Sequence, residues 1–238
     1  DYQKRFTKNL YGTLGARLDE HSLFDKENSQ RATLAYLFDD KLTKLKSSYG
    51  TGFRFSSLYE AYYVWGANPT IRSGLKAETS RGFDLGFEKK IPDLDLSIDL
   101  VYFNTKYFDA LEGWEDNNNG GSATMNVNGI SKSQGLEFIS KWKTNENLNF
   151  DFNYTYTSTY DGAEHDDPKK SSSYTNSQMV RVPRHFFNLA TNYIFPDENL
   201  NLTLRTKISS KARDYGIQIE PADGSFDDVN LNSYMVND

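Results

Sequence analysis

Along most of this chain apolar and polar residues alternate one by one. In residues 147–161, Leu148, Phe150, Phe152, Tyr154 and Tyr156 share one parity, and Asn149, Asp151, Asn153, Thr155 and Thr157 share the other. Successive side chains of a strand point to opposite faces, so the stretch predicts a long β-strand with one oily, aromatic face and one wet face. The same rule sets Leu200, Leu202, Leu204, Thr206 and Ile208 against Asn201, Thr203, Arg205 and Lys207. It sets Leu94, Leu96, Ile98, Leu100 and Tyr102 against Asp95, Ser97 and Asp99, and Phe83, Leu85 and Phe87 against Asp84, Gly86 and Glu88. Phe187, Leu189, Tyr193 and Phe195 alternate with Asn188, Ala190 and Asn192. Weaker runs lie at 10–19, 29–38, 43–53 and 133–143, and one begins near Ser233. Period two dominates, which predicts about ten strands and no helix.

The connections alternate as well. Short polar turns are expected at 39–41, 91–93, 145–147 and 196–198, and long segments at 19–28, 54–78, 109–124, 161–182 and 211–230. In an up-and-down sheet this puts every short turn at one end and every long loop at the other, the asymmetry of outer-membrane barrels. The oily face then lies against lipid and the polar face against a wet lumen. A soluble sandwich would instead bury its oily faces against each other. The fold class expected is all-β: an antiparallel up-and-down transmembrane β-barrel, with about ten strands of a larger barrel and no plug. Several runs exceed the roughly 9–11 residues that span a bilayer, so they should project beyond it. Tyr107, Phe108, Tyr156 and Tyr160 near strand ends fit an interfacial aromatic girdle.

Composition sharpens this picture. Only 37% of the residues are hydrophobic, yet 15% are aromatic. Disordered chains are poor in aromatics, so the pairing fits an all-β protein with a wet interior. There is no cysteine, which excludes disulfides and thiolate metal sites. Net charge is −6 with Lys and Arg dispersed, which argues against a nucleic-acid partner. No apolar run is long enough for a transmembrane helix, which says nothing about barrel strands. Both ends fall inside strand-like patterns, and the expectation is a piece of a longer chain.

Specific motifs go beyond alternation. The stretch SSYGTGFRFSSLYEAYY, followed by NPTIRSGLKAETSRGFDLGFE, resembles the barrel signature of TonB-dependent outer-membrane receptors. Tyr49, Gly50, Gly52, Phe53, Ser57, Leu58, Tyr59, Asn68, Pro69, Leu75, Glu78, Ser80, Leu85, Gly86 and Glu88 stand at the matching positions. Further on, VYFNTKYFDAL, NVNGISKSQGLEF with Gly135 and Glu137, VPRHFFNLATNY and LNSYMVND resemble later segments in the right order. Ala77 stands where the family usually has proline, and Arg72-Ser73-Gly74 looks inserted, both in a loop. The likeness is to the cobalamin and siderophore receptor branch. It implies part of the β-barrel domain over residues 1–238, without the plug. It further implies an outer-membrane location and energised uptake of a scarce large ligand, an iron-siderophore, cobalamin or similar chelate. The partners implied are that ligand, membrane lipid and the inner-membrane TonB complex reached through the missing plug. A passive porin, a small complete barrel and an outer-membrane barrel enzyme remain alternative readings of the same pattern.

No catalytic site, metal site or cofactor is expected. The candidate ligand contacts are Arg54, Tyr59, Tyr62, Tyr63 and Trp65, in the segment after the 43–53 strand. Each has a plainer role, as a wall salt bridge for Arg54 and as packing at a wet–apolar boundary for the aromatics. Glu164-His165-Asp166-Asp167 and the acids Asp223, Asp227 and Asp228 match no calcium-loop spacing. His21, His165 and His185 share no ligand spacing, and a wall hydrogen bond is the better role for His185. There is no G-x-S-x-G, and Gly50-Thr51-Gly52 lacks the lysine of a phosphate loop. Asn118-Asn119-Gly120-Gly121 reads as a loop tip. The polar rows, comprising Asp95, Asp99, Asn149, Asp151, Asn153, Asn201, Arg205 and Lys207, should line the lumen.

Overall fold

A computed structural model of the chain describes residues 1–21, 24–62, 64–65, 74–111, 113–117, 121–164, 178–196, 200–215 and 228–237. Eleven strands follow one another in chain order in a single antiparallel sheet. They are β1 (Tyr2–Arg5), β2 (Leu10–His21), β3 (Phe24–Leu37), β4 (Thr43–Arg54), β5 (Glu78–Ile91), β6 (Leu96–Phe108), β7 (Asn128–Lys143), β8 (Leu148–Tyr160), β9 (His185–Ile194), β10 (Asn201–Ser209) and β11 (Tyr234–Asn237). Each pairs with its neighbours along this path, the meander expected of an up-and-down wall, and the start of β7 also pairs with the short strand Ala163–Glu164.

Register confirms the two faces. The row Leu45–Phe87–Leu100–Phe138–Tyr154–Phe187–Ile208 runs straight across seven strands on one side. One residue away, Lys44–Glu88–Asp99–Ile139–Asn153–Asn188–Lys207 runs across the other. Asp99, Asn149, Asp151, Asn153, Asn201, Arg205 and Lys207 lie on this polar side, as their parity predicts. Asp95 joins them, but from outside a strand. It ends a 3-10 turn, Pro92–Leu94, in the left-handed conformation (φ 47°), where its N–H bonds the Pro92 carbonyl. Tyr107 also departs from expectation, because its register with Ser80 and Ser131 turns it to the polar side.

Two other differences have physical causes. Residues 19–28 were expected to form a long loop, yet β2 and β3 stay paired through Asp19 and Glu27, with a register shift between Asp19 and His21. Both faces are polar there, so hydrophobic alternation fades while the backbone ladder continues. A short helix, α1 (Leu58–Tyr62), stands where none was expected.

The short turns form one stitched rim. Thr7 Oγ1 accepts from the N–H groups of Asn9 and Leu10, and Asn145 Oδ1 from those of Asn147 and Leu148. Asn9 Nδ2 reaches Asp39 Oδ1 at 2.8 Å, tying the first turn to the second. Lys90 N bonds Leu42 O, Lys143 N bonds Asp95 O and Ile194 N bonds Asn147 O, so each later turn is fixed to the one beside it.

Among the described residues no hydrophobic core lies between layers. Among the described residues the buried apolar side chains are Ala61, Ala77, Leu111 and Val127, none of them in a wall strand. Leu14, Leu85 and Leu202 of the apolar face are 60%, 55% and 58% exposed. A water-soluble chain of this length covers such side chains with its own residues. Here nothing in the described chain covers them, which leaves lipid as the medium they suit.

Candidate ligand-binding face

The motif around Tyr49–Phe53 is explained by period two. Tyr49 and Phe53 point to the apolar side, and Gly50 and Gly52 leave the polar side bare. Gly82 sits opposite Gly50, so two backbones meet with no side chain over them. The resulting notch holds about 350 Å³ and is flanked by Arg31, Ser48, Asp84 and Thr105. Polar pairs cover the wall below it. Ser48 Oγ donates to Asp84 Oδ2 at 2.7 Å, and Lys44 pairs with Glu88 at 2.5 Å.

Above the wall on the long-loop side, β4 ends at Arg54 and the chain turns into α1. Ser57 and Glu60 form a capping box. The Ser57 N–H donates to Glu60 Oε2 at 2.7 Å, and the Glu60 N–H donates to Ser57 Oγ at 3.2 Å. Arg54 joins this helix to the wall by pairing with Glu60 at 3.0 Å and with Glu78, the first residue of β5. Partial burial opposes the charged form of Glu60. The Ser57 N–H and hydroxyl and the Arg54 guanidinium outweigh it and hold the carboxyl below its ordinary range.

Asn126 binds the next loop to this one. Its Oδ1 accepts from Lys76 N at 2.7 Å, and its Nδ2 donates to Lys76 O at 2.9 Å and to Asp109 O at 2.7 Å. Leu111 N adds a bond to Glu78 Oε1. Across the sheet, Gln178 works in the same way, accepting from Thr159 N at 3.0 Å and donating to Val182 O at 3.2 Å.

Of the predicted contacts, Arg54 is held between two carboxylates, the wall salt bridge rather than a free cation. Tyr59 is 62% exposed on α1. Tyr62 ends α1 and Trp65 lies in a short strand, Val64–Trp65, paired with Gly121–Met125. Tyr63 lies outside the described residues. Alternation did not reveal Glu60, Glu78, Asn126 or Gln178. The S-x-x-E spacing of Ser57 and Glu60 was a readable signal, but an amide clamp such as Asn126 has none.

Of the remaining candidates, His165, Asp166, Asp167, Asp223 and Asp227 lie outside the described residues, as do Asn118, Asn119 and Gly120. No three acids or histidines converge to hold a metal among the described residues. His185 Nδ1 lies 2.8 Å from Tyr154 Oη on the apolar face, the wall hydrogen bond expected of it. His21 packs against Phe55 with ring centroids 5.5 Å apart.

An uncovered apolar face, a polar face of paired charges, short turns at one rim and tied loops at the other define the wall of an outer-membrane β-barrel. The chain belongs to the TonB-dependent receptors: the family described as TonB dependent receptor-like, beta-barrel, matches residues 1–238. It is therefore part of a bacterial outer-membrane receptor barrel and not an enzyme. No curated protein matches the sequence. Among solved structures, the siderophore receptor PirA from Acinetobacter baumannii is similar with a TM-score of 0.74 and 18% identity, over 98% of this chain and 37% of that one. The FrpB iron transporter from Neisseria meningitidis (F3-3 variant) gives a TM-score of 0.68 and 15% identity, over 96% and 37%. The ferripyoverdine receptor of the Pseudomonas aeruginosa outer membrane, bound to ferripyoverdine, gives 0.71 and 15%, over 99% and 30%. The chain thus spans about a third of the length of these receptors.

Proposed function

We propose that residues 1–238 are one contiguous part of the barrel domain of a receptor that takes up an iron chelate, a ferric siderophore or a similarly large and scarce ligand, in an energised step. The observation that carries this reading is the family match over every residue of the chain. Solved proteins of the same fold described as a siderophore receptor and an iron transporter support the ligand class. Cobalamin is the less supported member of that class, since none of the three is described as binding it. The tied loops around Arg54, α1 and Asn126 would form part of the entrance, with Tyr59 offering a ring to a ligand. The plug and the inner-membrane TonB complex would supply the remaining machinery.

The test uses the full-length receptor that contains this chain, in intact iron-starved cells. Uptake of radiolabelled iron is measured with a panel of siderophores, and of labelled cobalamin, with and without a protonophore. The reading expects saturable uptake of at least one chelate that the protonophore abolishes. Flux that is unsaturable and indifferent to the protonophore would instead make the barrel a passive pore.

A further inference from the structure

At the long-loop end β7 outruns its partner. Its last pair with β6 is Ile130 with Phe108, and beyond it, among the described residues, Asn128 and Gly129 pair only with the two-residue strand Ala163–Glu164. So short a ladder at a sheet end opens easily. Both residues are exposed. Gly129 holds φ at 101°, a conformation that a side chain disfavours. Asn126, two residues back, engages three backbone groups through its amide. The Asn128 amide engages none: among the described residues nothing bonds it. Its Cγ is free to turn toward the next backbone nitrogen, and Gly129 has no Cβ to keep it away.

A chemically similar pair, Asp161–Gly162, lies just past the end of β8 and is held shut. Ser131 Oγ donates to Asp161 Oδ1 at 3.2 Å and accepts from the Gly162 N–H at 3.3 Å. One hydroxyl thus occupies both the carboxyl group and the nitrogen that would attack it. Ser131 is itself buried. A Cβ on Gly162 would run into the Ile130 carbonyl oxygen, so this segment lies close against the β7 backbone. The two pairs sit on neighbouring strands at the same end of the wall and differ in their restraint.

We propose that Asn128 is a site of spontaneous deamidation in the folded receptor, and that Ser131 protects Asp161 from the corresponding isomerisation. The Gly129 nitrogen forms a bond to Asn128 Cγ, the Cγ–Nδ2 bond breaks, and Nδ2 leaves as ammonia with the proton that the Gly129 nitrogen gave up. Water then opens the imide ring at either carbonyl, giving aspartate or isoaspartate. No oxidant, reductant or cofactor takes part. Either product puts a carboxylate in register with Glu164, and like charges opposite one another destabilise a strand pair. Isoaspartate also lengthens the backbone by one carbon, which throws the pairing of 128–129 with 163–164 out of step. The reaction therefore unfastens the segment after β8 from the start of β7 and leaves the wall as it was. It is independent of which chelate the receptor takes up.

The test ages the full-length receptor, reconstituted in lipid nanodiscs, at mildly alkaline and at mildly acidic pH. Peptide mapping by mass spectrometry follows Asn128 and Asp161, and a protein isoaspartyl methyltransferase labels isoaspartate. Wild type should lose the Asn128 amide, faster at alkaline pH, where the backbone nitrogen gives up its proton more readily. Asn128→Gln, whose longer side chain must close a larger ring, should keep its amide over the same period. Asp161 should stay aspartate in wild type and turn to isoaspartate in Ser131→Ala. Amide exchange at 163 and 164 should quicken in aged wild type and not in aged Asn128→Gln, with the wall strands unchanged in both. Receptor unfolded in guanidinium supplies the reference for both pairs. An Asn128 amide that survives in the folded receptor after the unfolded one has lost it would overturn the proposal. Equal isomerisation of Asp161 in wild type and Ser131→Ala would do so too.

Discussion

Lys46 on β4 reaches past the whole of β5 to Asp99 on β6, with Nζ 2.5 Å from Oδ2. Its stem lies flat across Gly86, where a Cβ would stand 2.6 Å from Lys46 Cε. The absent side chain of Gly86 is what lets one lysine tie three strands together. Gly86→Val should lift Lys46 off the wall, with an overpacking cost of about 1–3 kcal/mol. Lys46→Met in the same background should then cost little more, because the pair is already broken. Unfolding of the lipid-reconstituted receptor in guanidinium measures both, and additive losses would show that the two residues are not coupled.

The two faces of β8 should respond unequally to the same charge. Phe152 packs edge-on against Phe138 and Phe187, at 5.6 and 5.0 Å between ring centroids, on the uncovered side. Phe152→Arg should destabilise insertion by about 2–4 kcal/mol if its row lies near the bilayer midplane. Asn153→Arg, one residue along, faces the polar side and should cost far less. Vesicle-folding titrations of the two variants give the comparison, and equal losses would count against lipid on the aromatic face.

The turn at Asp40 predicts an acid limit. Thr43 Oγ1, Lys89 Nζ and the N–H groups of Leu42 and Thr43 all donate to this carboxylate, and its pKa falls well below the usual carboxylate range. A depressed folded-state pKa gives stability that is present above the unfolded value, about 3.9, and is lost as pH falls through the lower folded value. The turn should therefore stay closed through mildly acidic pH and open only in stronger acid. Amide exchange at Leu42 and Thr43 should show that dependence in wild type and lose it in Asp40→Asn.

The loop clamp makes a separate prediction. Asn126→Ala leaves the Lys76 N–H and C=O and the Asp109 C=O without their partner, a loss of about 1–3 kcal/mol felt within the loops. Ser57→Ala removes half of the capping box, at about 1 kcal/mol. Hydrogen exchange over 74–78 and 109–111 should quicken in the first variant and over 58–62 in the second, while the wall strands stay unchanged. Should the wall loosen together with the loops, the clamp is part of the barrel's stability and not a local device.

The wall was legible because its strands answer to one rule, and Leu148–Tyr160 obeys it along its whole length. The rule fails where its cause ends. Beyond the bilayer Arg17, Asp19, Glu20 and Glu27 leave both faces polar, so β2 and β3 looked like a loop although they remain paired. Leu58–Tyr62 falls in a stretch read as a long loop, 54–78, and only the four-residue spacing of its cap marks a helix. Arg54 was found as an unusual charge at a strand end, but its two acceptors lie six and 24 residues away and carry no periodic signal. Asp95 lines the polar side with Asn149 and Asp151, but from the left-handed end of a tight turn begun by Pro92 and not from a strand, which parity alone does not show.

A sheet with no buried interior has a further consequence. In an ordinary domain the worth of a side chain is fixed by its neighbours, and the surrounding liquid matters mainly at the skin. Here each strand is a partition between two media, so the free energy of folding belongs largely to what lies on either side of it. Exchanging lipid for detergent alters one boundary, and exchanging salt alters the other. The stability of this protein is thus a function of its container, and a single value measured in one medium will not transfer to the next.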